Sequence, residues 1–298
     1  MIAATGSIGL DTTRTPFKTV ERVLGGSASY FSYCASFFDK VGLVSVVGGD
    51  FPEKYWRELE AKGVDLKGVQ RNKGKTFHFD SSFSYDLYAR TANATEFGVL
   101  ASFEPRVPDE YKDAKTVYAG TNNPKIQLEF LRQFGKQKVS FIDTIEHFIA
   151  NDRAALLRVL SEADGFVLND VEARMLCDTP NLVKAGKKIH SLGPEIVVIK
   201  KGEHGCLVFY GGGVCAFPAF PLEEVLDPTG AGDSFAGGFV GSLARDGKIS
   251  WAGLKRAAVL GSVMGSFACE GYGLDRLRKL DERQIDERFE FYREMTSL

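Results

Sequence analysis

The run Leu226-Asp227-Pro228-Thr229-Gly230-Ala231-Gly232-Asp233-Ser234-Phe235-Ala236-Gly237-Gly238 joins a glycine-rich turn to an acid and then to a helix-forming segment. Gly230, Ala231 and Gly232 carry almost no side-chain bulk, so consecutive backbone N–H groups can converge on an anion. A helix starting near Asp233 would add its positive dipole end. A carboxylate beside such a hole repels a phosphate that is merely stored. It has a use if Asp233 takes the proton of a hydroxyl that attacks a phosphoryl group lying over the turn. That chemistry is phosphoryl transfer to a small-molecule alcohol. Taken alone, a turn ending in Asp is more often a plain helix start, because Asp is a favoured N-cap.

Other polar residues follow apolar runs in the same way. Asp143 comes just after Val139–Ile142, where its plain reading is a helix-initiating acid and its functional one a contact to substrate or to a metal's shell. Asn169 and Glu172 follow Gly165–Leu168 and, three apart at a helix start, face one side. Lys200 and Lys201 follow Ile196–Ile199; adjacent on a strand, they point to opposite faces, and Lys200 is the one in register with the buried edge. Gly202 and Gly205 form the turn behind them.

These residues need a scaffold that collects strand ends. Leu43–Val47, Lys115–Ala119, Val139–Ile142, Gly165–Leu168 and Ile196–Ile199 are short, β-branched or aromatic runs. Glu53–Lys62, Ile126–Phe134, Asp152–Ala163 and Leu182–Ser191 lie between them with apolar residues at helical spacing. The alternation predicts an α/β fold, a mostly parallel central sheet flanked by helices on both faces, with ligands at the carboxyl ends of strands. Thr76–Leu100 breaks the pattern, with Phe77, Phe79, Phe83, Tyr85 and Tyr88 in a period-two stretch and no helix. It predicts antiparallel strands projecting as a small lid sheet, joined by Thr12–Leu24. Such a sheet must be covered by substrate, a second copy of the chain, or both. Trp251–Ala268 and Asp281–Met295 predict amphipathic helices.

The 298 residues are ample for a sizeable core, and 44% hydrophobic with 26% charged residues is ordinary for a soluble protein. A net charge of −2 gives no reason to expect nucleic acid or a membrane surface as partner. No apolar run reaches the length of a membrane span, and Met1–Ser7 reads as a buried strand, not a signal peptide. Cys34, Cys177, Cys206, Cys215 and Cys269 are scattered, which suggests reduced core thiols and a cytoplasmic setting. The four histidines show no zinc-ligand spacing. Gly68–Thr76 imitates a P-loop but has five residues between its glycines and leads into a strand pattern, so it is rejected.

Together these motifs resemble the ribokinase-like (PfkB) carbohydrate kinase family, which includes nucleoside kinases, over essentially the whole chain. The resemblance implies one ribokinase-like domain over residues 1–298, with lid strands inserted at about 12–24 and 74–101. Gly6–Asp11 resembles the family's first strand, ending in an acid (Asp11) that binds substrate hydroxyls, and Gly25-Gly26-Ser27 resembles its sugar-binding turn. Tyr30 stands where the family often has Asn. Asn169 and Glu172 match the N-x-x-E motif and would position Mg²⁺, largely through water, and the phosphates. Lys200, Gly202 and Gly205 match the nucleotide-side turn. Asp233 matches the general base, Gly230–Asp233 the anion hole, and Asp227 and Thr229 a monovalent-cation site. The implied reaction is ATP-dependent phosphorylation of a sugar hydroxyl, with Mg²⁺ and K⁺ as helpers, and a homodimer formed through the lid. A nucleoside kinase is the nearest alternative. A phosphosugar kinase would use Arg71, Lys73, Lys75 and Arg90, and a non-catalytic sugar-binding regulator would have no need of Asp233.

Overall fold

The computed structural model describes residues 1–135 and 139–297. The chain starts with β1 (Ile2–Thr5), β2 (Gly9–Arg14), β3 (Thr19–Gly25) and α1 (Ser27–Ala35). It continues through β4 (Val41–Gly48), α2 (Glu53–Ala61), β5 (Val64–Asn72), β6 (His78–Phe83) and β7 (Arg90–Glu96). Alternation follows in β8 (Thr116–Ala119), α3 (Pro124–Leu131), β9 (Val139–Ile142), α4 (Glu146–Asn151) and α5 (Arg153–Leu160). Next come β10 (Gly165–Asn169), α6 (Asp170–Cys177), α7 (Leu182–His190), β11 (Ile196–Lys200), β12 (Cys206–Tyr210) and β13 (Gly213–Phe217). Three helices close the chain: α8 (Ala231–Asp246), α9 (Trp251–Cys269) and α10 (Glu282–Thr296).

Nine strands form one sheet in the order β13-β12-β11-β10-β9-β8-β1-β4-β5. All pairings from β5 to β11 are parallel, and β12 and β13 add an antiparallel edge. Alternate residues of each strand serve opposite faces: Ile196 and Val198 join the apolar cluster under α1, α8 and α9, while Val197 and Ile199 join the one under α3 to α7. Burial on both sides explains why these strands read as unbroken apolar runs. Gly237 and Gly238 let α8 wedge between its neighbours. A Cβ at Gly237 would lie 2.6 Å from the Phe31 carbonyl oxygen, and one at Gly238 would lie 2.6 Å from that of Leu260.

A second sheet, ordered β3-β2-β6-β7, stands apart from the first. Its hairpins β2–β3 and β6–β7 are antiparallel as expected, but β2 pairs with β6 in parallel. The difference arises because these strands come from two separate excursions of the chain, not from one meander. Tyr85 and Tyr88 lie in the exposed turn between β6 and β7, not on a strand face. Asp11 lies inside β2, not at the end of the first strand, which stops at Thr5. It meets the start of α1 instead, where its Oδ2 accepts from Gly26 N–H at 3.0 Å.

Candidate active site

Helix α8 begins at Ala231, two residues earlier than the sequence suggests, with Gly230 as its N-cap at φ +75°. Asp233 is thus in the first helical turn and not at its cap. The left-handed backbone at Gly230 is needed twice over, since any Cβ there would strike the Tyr30 ring at 2.4 Å. Ala231 N–H donates to Pro228 O at 3.2 Å, which tightens the turn and takes that amide out of the expected anion hole. The Gly232 and Asp233 amides remain as first-turn donors with no acceptor one turn earlier in the helix. Asp227 locks the approach: its Oδ1 accepts from Thr229 N–H at 2.9 Å and its Oδ2 from Gly273 N–H at 3.3 Å. Thr229 Oγ1 lies 3.3 Å from Thr13 Oγ1, which ties this turn to the second sheet.

The carboxyl ends of β9, β10 and β11 deliver Asp143, Asn169 and Lys200 to the same edge. Lys200 Nζ donates to Asp143 Oδ2 at 3.0 Å, and a Cβ at Gly232 would lie 3.1 Å from that ammonium. Asn169 and Glu172 form a capping box on α6: Asn169 Oδ1 accepts from Glu172 N–H at 2.8 Å, and Glu172 Oε2 accepts from Asn169 N–H at 2.7 Å. The Gly202–Gly205 turn follows β11 at this edge, both glycines at positive φ, and Gly205 packs so tightly on Phe217 that no side chain fits.

On the other side of the turn, Gly26 N–H donates to Asp11 Oδ2 at 3.0 Å. Ser27 Oγ donates to Thr121 O at 3.3 Å in the loop after β8. Asp11 Oδ1 and Asn122 Nδ2 are buried and find no partner among the described residues. Sequence reading missed Asn122; a polar pair following the strand end Val117–Ala119 was the available signal. An orphaned acceptor and an orphaned donor in one region carry a desolvation cost that a bound hydroxylated ligand would relieve.

The electrostatics bind these residues into one cluster. Burial, and then repulsion by Asp143, raise the Asp233 carboxyl to about 7, with Lys200 and Arg90 pulling the other way. Asp11 also rises to about 7, first by burial and then by Asp233 and Asp227 against the Gly26 hydrogen bond. Burial and Asp143 push Glu172 up to about 8 against Lys200. Burial raises Asp227 as well. Burial alone would lower Lys200, but Asp143, Glu172 and Asp233 more than offset it and leave its charge secured. Arg90, on the exposed strand β7, lies over the Phe79 ring at 5.3 Å, and its charge weakly favours the ionised forms of Asp11, Glu172 and Asp233. The site is therefore rich in buried acids that lack counter-charge, the setting that cations and their phosphates fit.

Asn169 Oδ1 and Glu172 Oε2 are engaged by the cap, so one Glu172 oxygen remains, which suits a hydrated Mg²⁺ rather than a dry cage. Among the described residues no group of three or more His, Cys, Asp or Glu side chains could hold a metal ion. Asp227, 1% exposed, carries buried charge answered only by backbone N–H groups and Thr229, which fits a weakly held monovalent cation.

A large α/β sheet with an acid at the head of a glycine-started helix, plus a small covering sheet, defines a ribokinase-like kinase. The family model for "pfkB family carbohydrate kinase" matches residues 2–279, and the chain belongs to that family of phosphotransferases acting on hydroxyl groups. A cytidine kinase from Thermococcus kodakarensis is 34% identical over 246 residues, 80% of this chain and 87% of its own length. A nucleoside kinase from Methanothermobacter thermautotrophicus is 30% identical over 275 residues, 88% of this chain and 83% of its own. In fold, the chain is similar to the Burkholderia thailandensis nucleoside kinase solved with inosine (TM-score 0.83, 22% identity), covering 98% of this chain and 97% of that one. The protein is thus a kinase of the sugar and nucleoside class.

Proposed function

We propose that this chain is an ATP-dependent nucleoside kinase that phosphorylates a hydroxyl of the ribose. The observation that carries the transfer chemistry is Asp233, its carboxyl raised to about 7 beside Lys200 and the first-turn amides of α8. A base with that value is half ionised near neutrality, where proton removal is most effective. Asp233 takes the hydroxyl proton as the oxygen attacks the γ-phosphorus of ATP and the bond to the β-phosphate oxygen breaks, releasing ADP; the Gly232 and Asp233 amides and Lys200 offset charge growing on the transferred group. Mg²⁺, held through water by Glu172, would supply further charge neutralisation on the phosphates. Asp11 Oδ1 and Asn122 Nδ2 receive the ribose hydroxyls, and Arg90 reaches in from the second sheet, which acts as the lid.

The sequence alone placed a free sugar first and a nucleoside second. Two relatives of 34% and 30% identity, named cytidine kinase and nucleoside kinase, support the reverse order. Turnover on cytidine, adenosine and inosine against ribose and fructose tests it. A kcat/KM for the best nucleoside at least about tenfold above that for either sugar is expected, the worth of one well-placed contact. Equal or better use of ribose or fructose would return the sugar to first place.

A further inference from the structure

Asp143 looks like a second acid facing the acceptor, yet its bonding capacity is spent on the protein. Oδ1 accepts from Thr144 N–H at 2.7 Å, and Oδ2 accepts from Lys200 Nζ at 3.0 Å and from the Tyr118 hydroxyl at 3.5 Å. Its backbone carbonyl accepts from Gln127 Nε2 at 2.8 Å, and the same amide holds the Ala119 and Gly120 carbonyls at the end of β8. The Tyr118 ring is itself clamped, stacked on Phe31 with centroids 3.7 Å apart. The carboxylate side chain is 3% exposed, and that of Lys200 15%. So fixed a carboxylate is poorly suited to greeting a ligand and well suited to orienting a neighbour.

The sheet order shows what it orients. β10 lies between β9 and β11, so the ion pair reaches across the end of β10, above Asn169, the register partner of Lys200. Three acids compete for that ammonium, namely Asp143, Glu172 and Asp233. Only Asp143 takes it at hydrogen-bond distance, and the ammonium comes to rest against Gly232.

We infer that Asp143 is a positioning residue: it parks the Lys200 ammonium against the Gly232 turn, where it meets the phosphates of the nucleotide, and keeps it off Asp233. The inference rests on the kinase reading above for its ligand, but not on which acceptor is used. Lys200 touches the nucleotide; Asp143 acts only through Lys200.

A double-mutant cycle on nucleotide binding tests this without turnover. Calorimetric titration with a nonhydrolysable ATP analogue and Mg²⁺ is run on the wild type, Asp143→Asn, Lys200→Met and the double variant. Each single change is expected to weaken binding about 10- to 100-fold, the worth of a charge-assisted contact. The double variant should be no weaker than Lys200→Met within about twofold, the sign of residues acting as one unit. Acceptor KM should move less than about threefold in Asp143→Asn. Multiplying effects in the cycle, unchanged nucleotide affinity in Asp143→Asn, or an acceptor KM raised about tenfold or more would overturn the inference. If Asp143→Asn does not fold by thermal unfolding, Asp143→Ser, which likewise removes the charge that holds Lys200, takes its place in the cycle with the same criteria. A wild type that binds the analogue but phosphorylates no nucleoside or sugar would fail the kinase reading alone, since the cycle needs no acceptor.

Discussion

At the scale of single residues, the decisive quantity is the cost of keeping Asp233 charged. In the folded chain burial and Asp143 hold its proton on until about pH 7, whereas in the unfolded chain it leaves near the ordinary value of 3.8. Activity should therefore rise with pH through a midpoint near 7. Asp233→Asn should keep nucleotide affinity within a few-fold and lower kcat by about 10²–10⁴. Steady-state kinetics and titration check this, and retention of a tenth of wild-type turnover would remove Asp233 from its role. The sign of the stability effect is opposite. Between pH 4 and 7 the unfolded chain releases this proton while the folded one retains it, so stability falls as pH rises and the penalty is complete above 7. Asp233→Asn should thus melt a few degrees higher, on the order of what 1–2 kcal/mol does for a domain this size, and more so near pH 8 than near pH 5. Differential scanning calorimetry at both pH values reads the difference.

Among the elements, α6 shows how one residue pair can carry structure and chemistry at once. Asn169 and Glu172 satisfy two orphan donors reciprocally, and this capping box alone accounts for their spacing. Loss of the cap in Asn169→Ala should cost about 1 kcal/mol of stability, while Asn169→Ser, a comparable cap, should restore most of it. If the pair also positions the phosphates, both variants will lose activity although only the first loses stability. Thermal unfolding paired with kcat/KM separates the two roles, and full activity in Asn169→Ser would leave the pair a cap and nothing more. On the acceptor side, α1 starts at Gly26, whose φ of +85° and approach to the Ser7 carbonyl oxygen exclude any side chain. The Gly25-Gly26 spelling is thus explained by packing, since a Cβ at Gly25 would likewise strike the Asp11 carboxylate at 2.1 Å.

For the molecule as a whole, the second sheet leaves an edge uncovered. Its strand β7 is exposed throughout, an open edge of unpaired backbone groups, and Tyr85 and Tyr88 stand in solvent in the turn that leads into it. Two copies of the chain pairing through these strands would cover that edge, and sedimentation at micromolar concentration is expected to give twice the 32.7 kDa chain mass. A single-chain mass at that concentration would leave the edge to be covered by substrate alone. The contact between the Thr13 and Thr229 hydroxyls, 3.3 Å apart, joins this sheet to the turn ahead of α8.

Local signals were enough for what repeats along the chain or sits in one contiguous run. Strand–helix alternation followed from burial on both faces of a parallel sheet, and the turn before α8 from the left-handed backbone that only glycine adopts freely at Gly230. The second sheet was visible as a break in that pattern, but not its parallel β2–β6 seam, because strands separated by two helices leave no mark of their pairing in either segment. Asn122 and the engagement of Asp143 by Lys200 were likewise decided only in three dimensions. Charge and hydrogen-bond partners act over a few ångströms of space, whatever their distance in sequence. A composition or spacing rule can name an acid, but only the packed neighbours determine whether it holds a proton, a lysine or a substrate.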